Sequence, residues 1–182
     1  MSKLTSTAKT SAFTAVFVAI LLTSQLLLSA IPGVEIVTPL MIAYSCAMGS
    51  KRGMLAATAF SLLRQFIFGA LPTVLILYLI YFNLLAFVFG LIGKGIKLNL
   101  KSVIITVIVA CIFSALFTLL DDIITPLYNG YSLKATKLYF YASLPVMLSQ
   151  IICTAISTAC LFIPLFKVFK GAKKSLEYSN SN

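Results

Sequence analysis

The chain of 182 residues has no histidine and no tryptophan, and its acidic residues are only Glu35, Asp121, Asp122 and Glu177. Without histidine it lacks both an imidazole metal ligand and the usual general base that titrates near neutral pH. The four cysteines, Cys46, Cys111, Cys153 and Cys160, stand apart in apolar stretches with no C-x-x-C pair, so neither a metal site nor a disulfide framework is expected. There is no G-x-x-x-x-G-K-[ST] phosphate loop, no H-E-x-x-H and no G-x-S-x-G. That excludes ATP hydrolysis by the first route and the hydrolase chemistries of the other two. Asp121 and Asp122 lack the further spaced carboxylates that a metal-dependent membrane transferase needs. The expectation is a protein with no catalytic residue, no metal and no cofactor.

What is present is apolar: 60% hydrophobic residues, 10% charged and a mean hydropathy of +1.06. A soluble domain of this size does not have that composition, and an integral, all-α membrane protein is expected. The first apolar stretch is read as a retained helix rather than a signal peptide, because no A-x-A-like cleavage site leads into a soluble chain. Windows of about 20 apolar residues, bounded by proline, glycine and charge, give six spans forming a single domain, near 11–31, 34–49, 53–71, 73–93, 102–125 and 139–166. A basic tail, 167–182, follows, and its last residues, 179–182, are expected to be disordered. Spans two and three are short, as helices near a binding site often are. The outer turns are marked by Ile31-Pro32-Gly33 and by Gly69 ahead of Pro72, a residue suited to a first helical turn.

The formal charge of +10 would suggest nucleic acid in a soluble protein, but here the basic residues alternate with the connections. One side of the membrane receives Lys3, Lys9, Lys51, Arg52, Lys94, Lys97, Lys101, Lys167, Lys170, Lys173 and Lys174, and the other only Lys134 and Lys137. By the positive-inside rule both termini lie in the cytoplasm, and no nucleic-acid partner is expected. The tail lysines suit attraction to anionic lipid.

Arg64 and Gln65 interrupt the apolar third span. An arginine at that depth costs about 3 kcal/mol on insertion scales, so it faces the bundle interior, a cavity or a partner charge. The topology puts Glu35, Asp121 and Asp122 at the outer face, and Arg64 about 17 Å up its helix, within snorkelling reach of Asp121. One reading is a structural ion pair between Arg64 and an aspartate. The preferred one is a ligand pocket, since two consecutive helical carboxylates point about 100° apart and cannot serve one arginine equally. Gln25, Tyr78, Tyr81, Asn83, Ser149 and Gln150 add polar groups at middle depth, either as interhelical hydrogen bonds or as pocket lining. The expected substrate-binding set is Glu35, Arg64, Gln65, Tyr78, Asn83, Asp121, Asp122 and Gln150. On the first span Ala12, Ala15 and Ala19 share one face, and Ala15-Val16-Phe17-Val18-Ala19 is a small-xxx-small motif that lets another helix approach.

The length, the six spans with both ends inside, the alanine motif and the run Gly33-Val34-Glu35-Ile36-Val37-Thr38-Pro39 together resemble the substrate-binding (S) component of an energy-coupling factor transporter. The resemblance extends from about Lys9 to Lys170. It implies a bacterial plasma-membrane protein that captures a vitamin or related micronutrient from outside and does no chemistry. It also implies partners: a transmembrane coupling (T) subunit and two cytoplasmic ATPases, with Ala15 and Ala19 docking the coupling subunit and Ala12 on the same face. The resemblance further implies that the component topples in the bilayer to carry its site inward. The site it implies is closed by loops holding Glu35, residues 69–73 and residues 121–131, with Tyr or Phe stacking in place of tryptophan. Two other classes stay open: a membrane enzyme on a lipid-linked substrate using Asp121 and Asp122, and a self-sufficient channel or exchanger using Arg64.

Overall fold

A computed structural model describes the backbone of residues 2–30, 35–96 and 98–178, with side chains described from Ala8 onward. The turn expected at 31–33, Lys97 and the tail end 179–182 lie outside the described residues. Among the described residues six helices follow one another: α1 (Ser2–Leu28), α2 (Val37–Met48), α3 (Ser50–Phe68), α4 (Pro72–Ile92), α5 (Leu100–Tyr128) and α6 (Leu133–Tyr178). No strand occurs among the described residues. Stretches of four of them, Ala8–Leu28, Pro72–Ile92, Leu100–Tyr128 and Leu133–Tyr178, are long and apolar enough to cross a membrane. Their outward faces carry Val16, Leu27, Ile108, Ile112, Leu148 and Ile156, each more than half exposed, which suits a lipid surround. The chain is therefore an all-helical protein whose build is consistent with a membrane-embedded one.

The two helices that fall short of spanning have different reasons. α2 has 12 residues, about 18 Å of helix against a hydrocarbon core near 30 Å. All of its residues are buried, the mark of a helix that is apolar all round. It runs through the middle of the bundle, packed on α6, α4, α3 and α1. Tyr44 anchors it: its ring stacks on Phe17 at 3.8 Å, Phe169 meets it edge-on at 5.5 Å, and its hydroxyl bonds Thr14 at 2.9 Å. α3 has 19 residues and includes Lys51, Arg52 and Arg64.

Helix limits follow local chemistry. Gly49 and Gly69, at φ 90° and 92°, end α2 and α3 in a conformation that favours glycine. Pro72 opens α4 in its first turn, as the sequence predicts. Asn99 caps α5 by accepting from the Ser102 amide at 2.9 Å. At the other end of α4, a Cβ on Gly93 would come within 2.2 Å of the Cys46 carbonyl oxygen, so glycine is what lets α4 close on α2. α6 runs through the expected basic tail as far as Tyr178, keeping Phe162, Phe166 and Phe169 buried on one face.

Candidate ligand-binding site

The alternating helix directions bring the ends of α1 and α3, the start of α2, the first half of α4, and parts of α5 and α6 around one recess of about 320 Å³. Ser24, Gln25, Leu28 and Ser29 come from α1, Arg64 and Phe68 from α3, and Tyr78 and Phe82 from α4. Glu35, Ile36 and Val37 lead into α2, while Phe117 and Gln150 reach in from α5 and α6. All six helices contribute to it.

Arg64 is held by aromatic faces. Its guanidinium carbon lies 4.4 Å from the Tyr78 ring centroid and 4.7 Å from that of Phe68. Phe68 is one helical turn beyond Arg64, so the stack is prepared within α3. A desolvated contact of this kind contributes about 2 kcal/mol, enough to offset much of the cost of the buried charge. The Arg64 Nε is buried with no hydrogen-bond partner. Tyr78 is fixed in turn by Gln25, whose Nε2 donates to the Tyr78 hydroxyl at 2.9 Å, leaving Gln25 Oε1 buried and unpartnered. One donor and one acceptor without partners thus belong to the same recess, each costing roughly 1–3 kcal/mol while unmet.

Glu35 sits in the connection ahead of α2. Its amide donates to Cys153 Sγ at 3.3 Å, tying the connection to α6, and its carboxylate accepts from the Thr38 hydroxyl. Removal from water pushes its carboxyl up from the ordinary 4.5, with the Thr38 bond acting in the opposite sense. Gln150 Oε1 accepts from Thr118 Oγ1 at 2.9 Å, which orients the amide of this lining residue. The lining therefore offers a cation, a carboxylate, two amides and several aromatic faces, a set able to orient a small ring-bearing molecule.

Of the expected set, Glu35, Arg64, Tyr78 and Gln150 meet here, with Gln25. The other four do not line this recess. Asn83 joins α4 to α3, accepting from Thr58 Oγ1 at 3.0 Å and donating to the Leu79 carbonyl at 2.9 Å. Gln65 spans the α3–α4 turn, accepting from the Leu71 amide at 3.3 Å and donating to the Ser61 carbonyl at 3.4 Å. Asp121 accepts from Tyr139 and Thr125, both at 2.7 Å, and Asp122 accepts from Ser143 at 2.8 Å. The expected approach of Arg64 to Asp121 is corrected for a packing reason: α3 packs on α4, α1 and α2, α5 packs on α6 and α4, and α4 stands between them. Asp121 instead lines a neighbouring recess of about 270 Å³, which shares Phe117 and Gln150 with the first.

Tyr81 is buried among Phe82, Phe113 and Phe117, and Ser149 is exposed, donating to the Pro145 carbonyl at 3.2 Å. Sequence reasoning missed Ser24, Leu28, Ser29, Phe68, Phe82 and Phe117 as lining residues. For Phe68 and Leu28 a signal existed, since each lies three or four residues from a polar residue already singled out. Phe82 and Phe117 carry the same spacing, four residues from Tyr78 and from Asp121. Comparison of the chain with protein-family models, with curated proteins and with solved structures finds no significant match in any of the three.

Proposed function

We propose that the chain is a membrane-embedded binding subunit that captures a small, ring-bearing micronutrient in the recess around Arg64. The observation that carries this reading is the pair of buried, unpartnered polar atoms, Arg64 Nε and Gln25 Oε1, on one aromatic-walled recess of about 320 Å³. A ligand carboxylate or ring acceptor would meet Arg64, an NH group would meet Gln25 or Glu35, and a flat ring would lie among Phe68, Phe82 and Phe117. A zwitterion or a ring carrying both an acidic and a basic group fits that lining better than a purely cationic one.

The resemblance to S components of energy-coupling factor transporters supplies the wider role: uptake from outside a bacterial plasma membrane, both termini cytoplasmic, with a transmembrane coupling subunit and two ATPases. In that role Ala12, Ala15 and Ala19 form the docking face. All three are exposed, and Ala15 and Ala19 line an almost wholly apolar groove of about 280 Å³ between α1 and α3. A coupling helix laid there would meet small side chains and close backbone. The enzyme alternative would rest on Asp122 alone, whose Oδ1 is buried without a partner, because Asp121 already accepts on both oxygens, from Thr125 and Tyr139.

Reconstitution separates the classes. Liposomes containing this chain alone should bind ligand one to one and show no ligand flux. Flux without added subunits would establish a self-sufficient carrier and overturn the binding-subunit reading.

A further inference from the structure

At the end of the bundle opposite Arg64 lies a second, larger cavity, about 780 Å³. Its walls are the carboxyl ends of α2 and α4 and the last turns of α6. Five lysines, Lys94, Lys167, Lys170, Lys173 and Lys174, line it against one carboxylate, Glu177. Within α6, Phe166, Lys170, Lys173 and Glu177 recur at three and four residues, so this charge occupies the face the helix turns toward the bundle. Lys94, Lys167, Lys170 and Lys174 are exposed along this space and Lys173 is half-buried, and lysines gathered in this way repel one another unless an anion joins them.

The chain itself satisfies two of the five. Lys173 Nζ donates to the Ala47 carbonyl at 3.2 Å, at the carbonyl end of α2. Lys170 Nζ stands 5.7 Å from the Phe166 ring centroid. Lys94, Lys167 and Lys174 have no such partner among the described residues.

The cavity is held in shape from both sides. Phe166, Phe169 and Leu176 pack α6 against the core beyond the level where the apolar span was expected to stop. Gly93 brings the end of α4 onto Cys46. Cys46, Ala47, Ile96 and Phe166 give it apolar lining, and glycines of α4, α6 and the α2–α3 junction complete it beside the lysines.

A phosphate ester matches both features: an anion for the lysines and an organic part for the apolar lining. The cavity lies where the apolar helix α4 ends at Ile92, on the side richest in lysine, and with α4 crossing the bilayer that end would meet the lipid headgroups. We propose that this cavity binds the phosphodiester headgroup of an anionic phospholipid, with the acyl chains running down the outside of the bundle. Basic pockets between helices on the lysine-rich face recognise such headgroups by this chemistry. The inference is independent of what binds at Arg64.

The test uses the full chain in detergent and native mass spectrometry. Dioleoyl phosphatidylglycerol, dioleoyl phosphatidylcholine and water-soluble glycerol 3-phosphate are offered in separate arms. The wild type is expected to retain one phosphatidylglycerol at least about tenfold better than phosphatidylcholine. The triple variant Lys94→Ala, Lys170→Ala, Lys174→Ala should lose that preference, while Lys134→Ala with Lys137→Ala keeps it. Equal retention of the two lipids by the wild type, a comparison that needs no variant to fold, would overturn the proposal. So would an unchanged preference in the triple variant. Lysine-dependent binding of glycerol 3-phosphate without phosphatidylglycerol would also overturn it, and would assign the cavity to a soluble phosphate ester.

Discussion

Arg64 is the residue on which the reading of this protein turns, and its setting differs from that of a structural ion pair. Two aromatic rings flank its guanidinium, and its Nε is buried without a hydrogen-bond partner in a side chain that lines the recess. Arg64→Ala should leave a folded protein and weaken ligand binding by about 100-fold, since a buried charged hydrogen bond to a ligand is typically worth 2 kcal/mol or more; isothermal titration with the identified ligand measures it. Tyr78→Phe keeps the ring under Arg64 but removes the hydroxyl that accepts from Gln25. It should cost about tenfold in affinity, and Tyr78→Ala distinctly more. Glu35 gives a pH signature. Loss of water raises its carboxyl above the ordinary 4.5, so the folded chain holds that proton more tightly than the unfolded one. Stability from that group is complete below 4.5 and is lost as pH rises through the shifted value. The thermal midpoint of the empty wild type should therefore contain a decline above pH 4.5 that Glu35→Gln lacks, measured by following unfolding from pH 4 to 8.

Among the elements, the sequence was most legible where punctuation was strong and least legible where only the azimuth of a helix mattered. Pro72 and Gly69 mark the α3–α4 turn, and the structure has it there. Hydropathy places Asp121 above Arg64 but within snorkelling reach, and it does not say that α4 stands between their helices, so the sequence leaves a pairing of the two charges open. α2 reads as a span because it is apolar on every side, and the same property instead makes it the central buried helix. The lysines of 167–174 suit attraction to anionic lipid, yet Phe169 and Leu176 continue the packed face of α6 that Phe166 begins, a periodicity that charge conceals. Helix junctions should be correspondingly intolerant. Gly93→Ala places a Cβ against the Cys46 backbone and should cost about 1–3 kcal/mol, whereas Gly95→Ala meets nothing within 4 Å and should be close to neutral. Thermal unfolding in detergent compares the two.

At the scale of the whole molecule, the two ends of the bundle divide the polar chemistry. One end gathers Arg64, Glu35, Gln25 and Gln150 around a recess with aromatic walls, and the other gathers five lysines around a larger one. The flank between them is apolar, with the alanines of α1 beside α3. If that flank docks a partner, Ala15→Leu with Ala19→Leu should abolish co-purification with a coupling subunit while ligand binding stays within about twofold, because both alanines are exposed and lie outside the Arg64 recess. The most direct test of the binding-subunit reading is to purify the chain expressed alone, denature it and identify released small molecules by mass spectrometry, with Arg64→Ala carried in parallel. A single compound at one equivalent in the wild type and absent from the folded variant is the expected result. A folded wild type that binds no small molecule supplied to it, or a compound retained equally by Arg64→Ala, would contradict a ligand site built on Arg64.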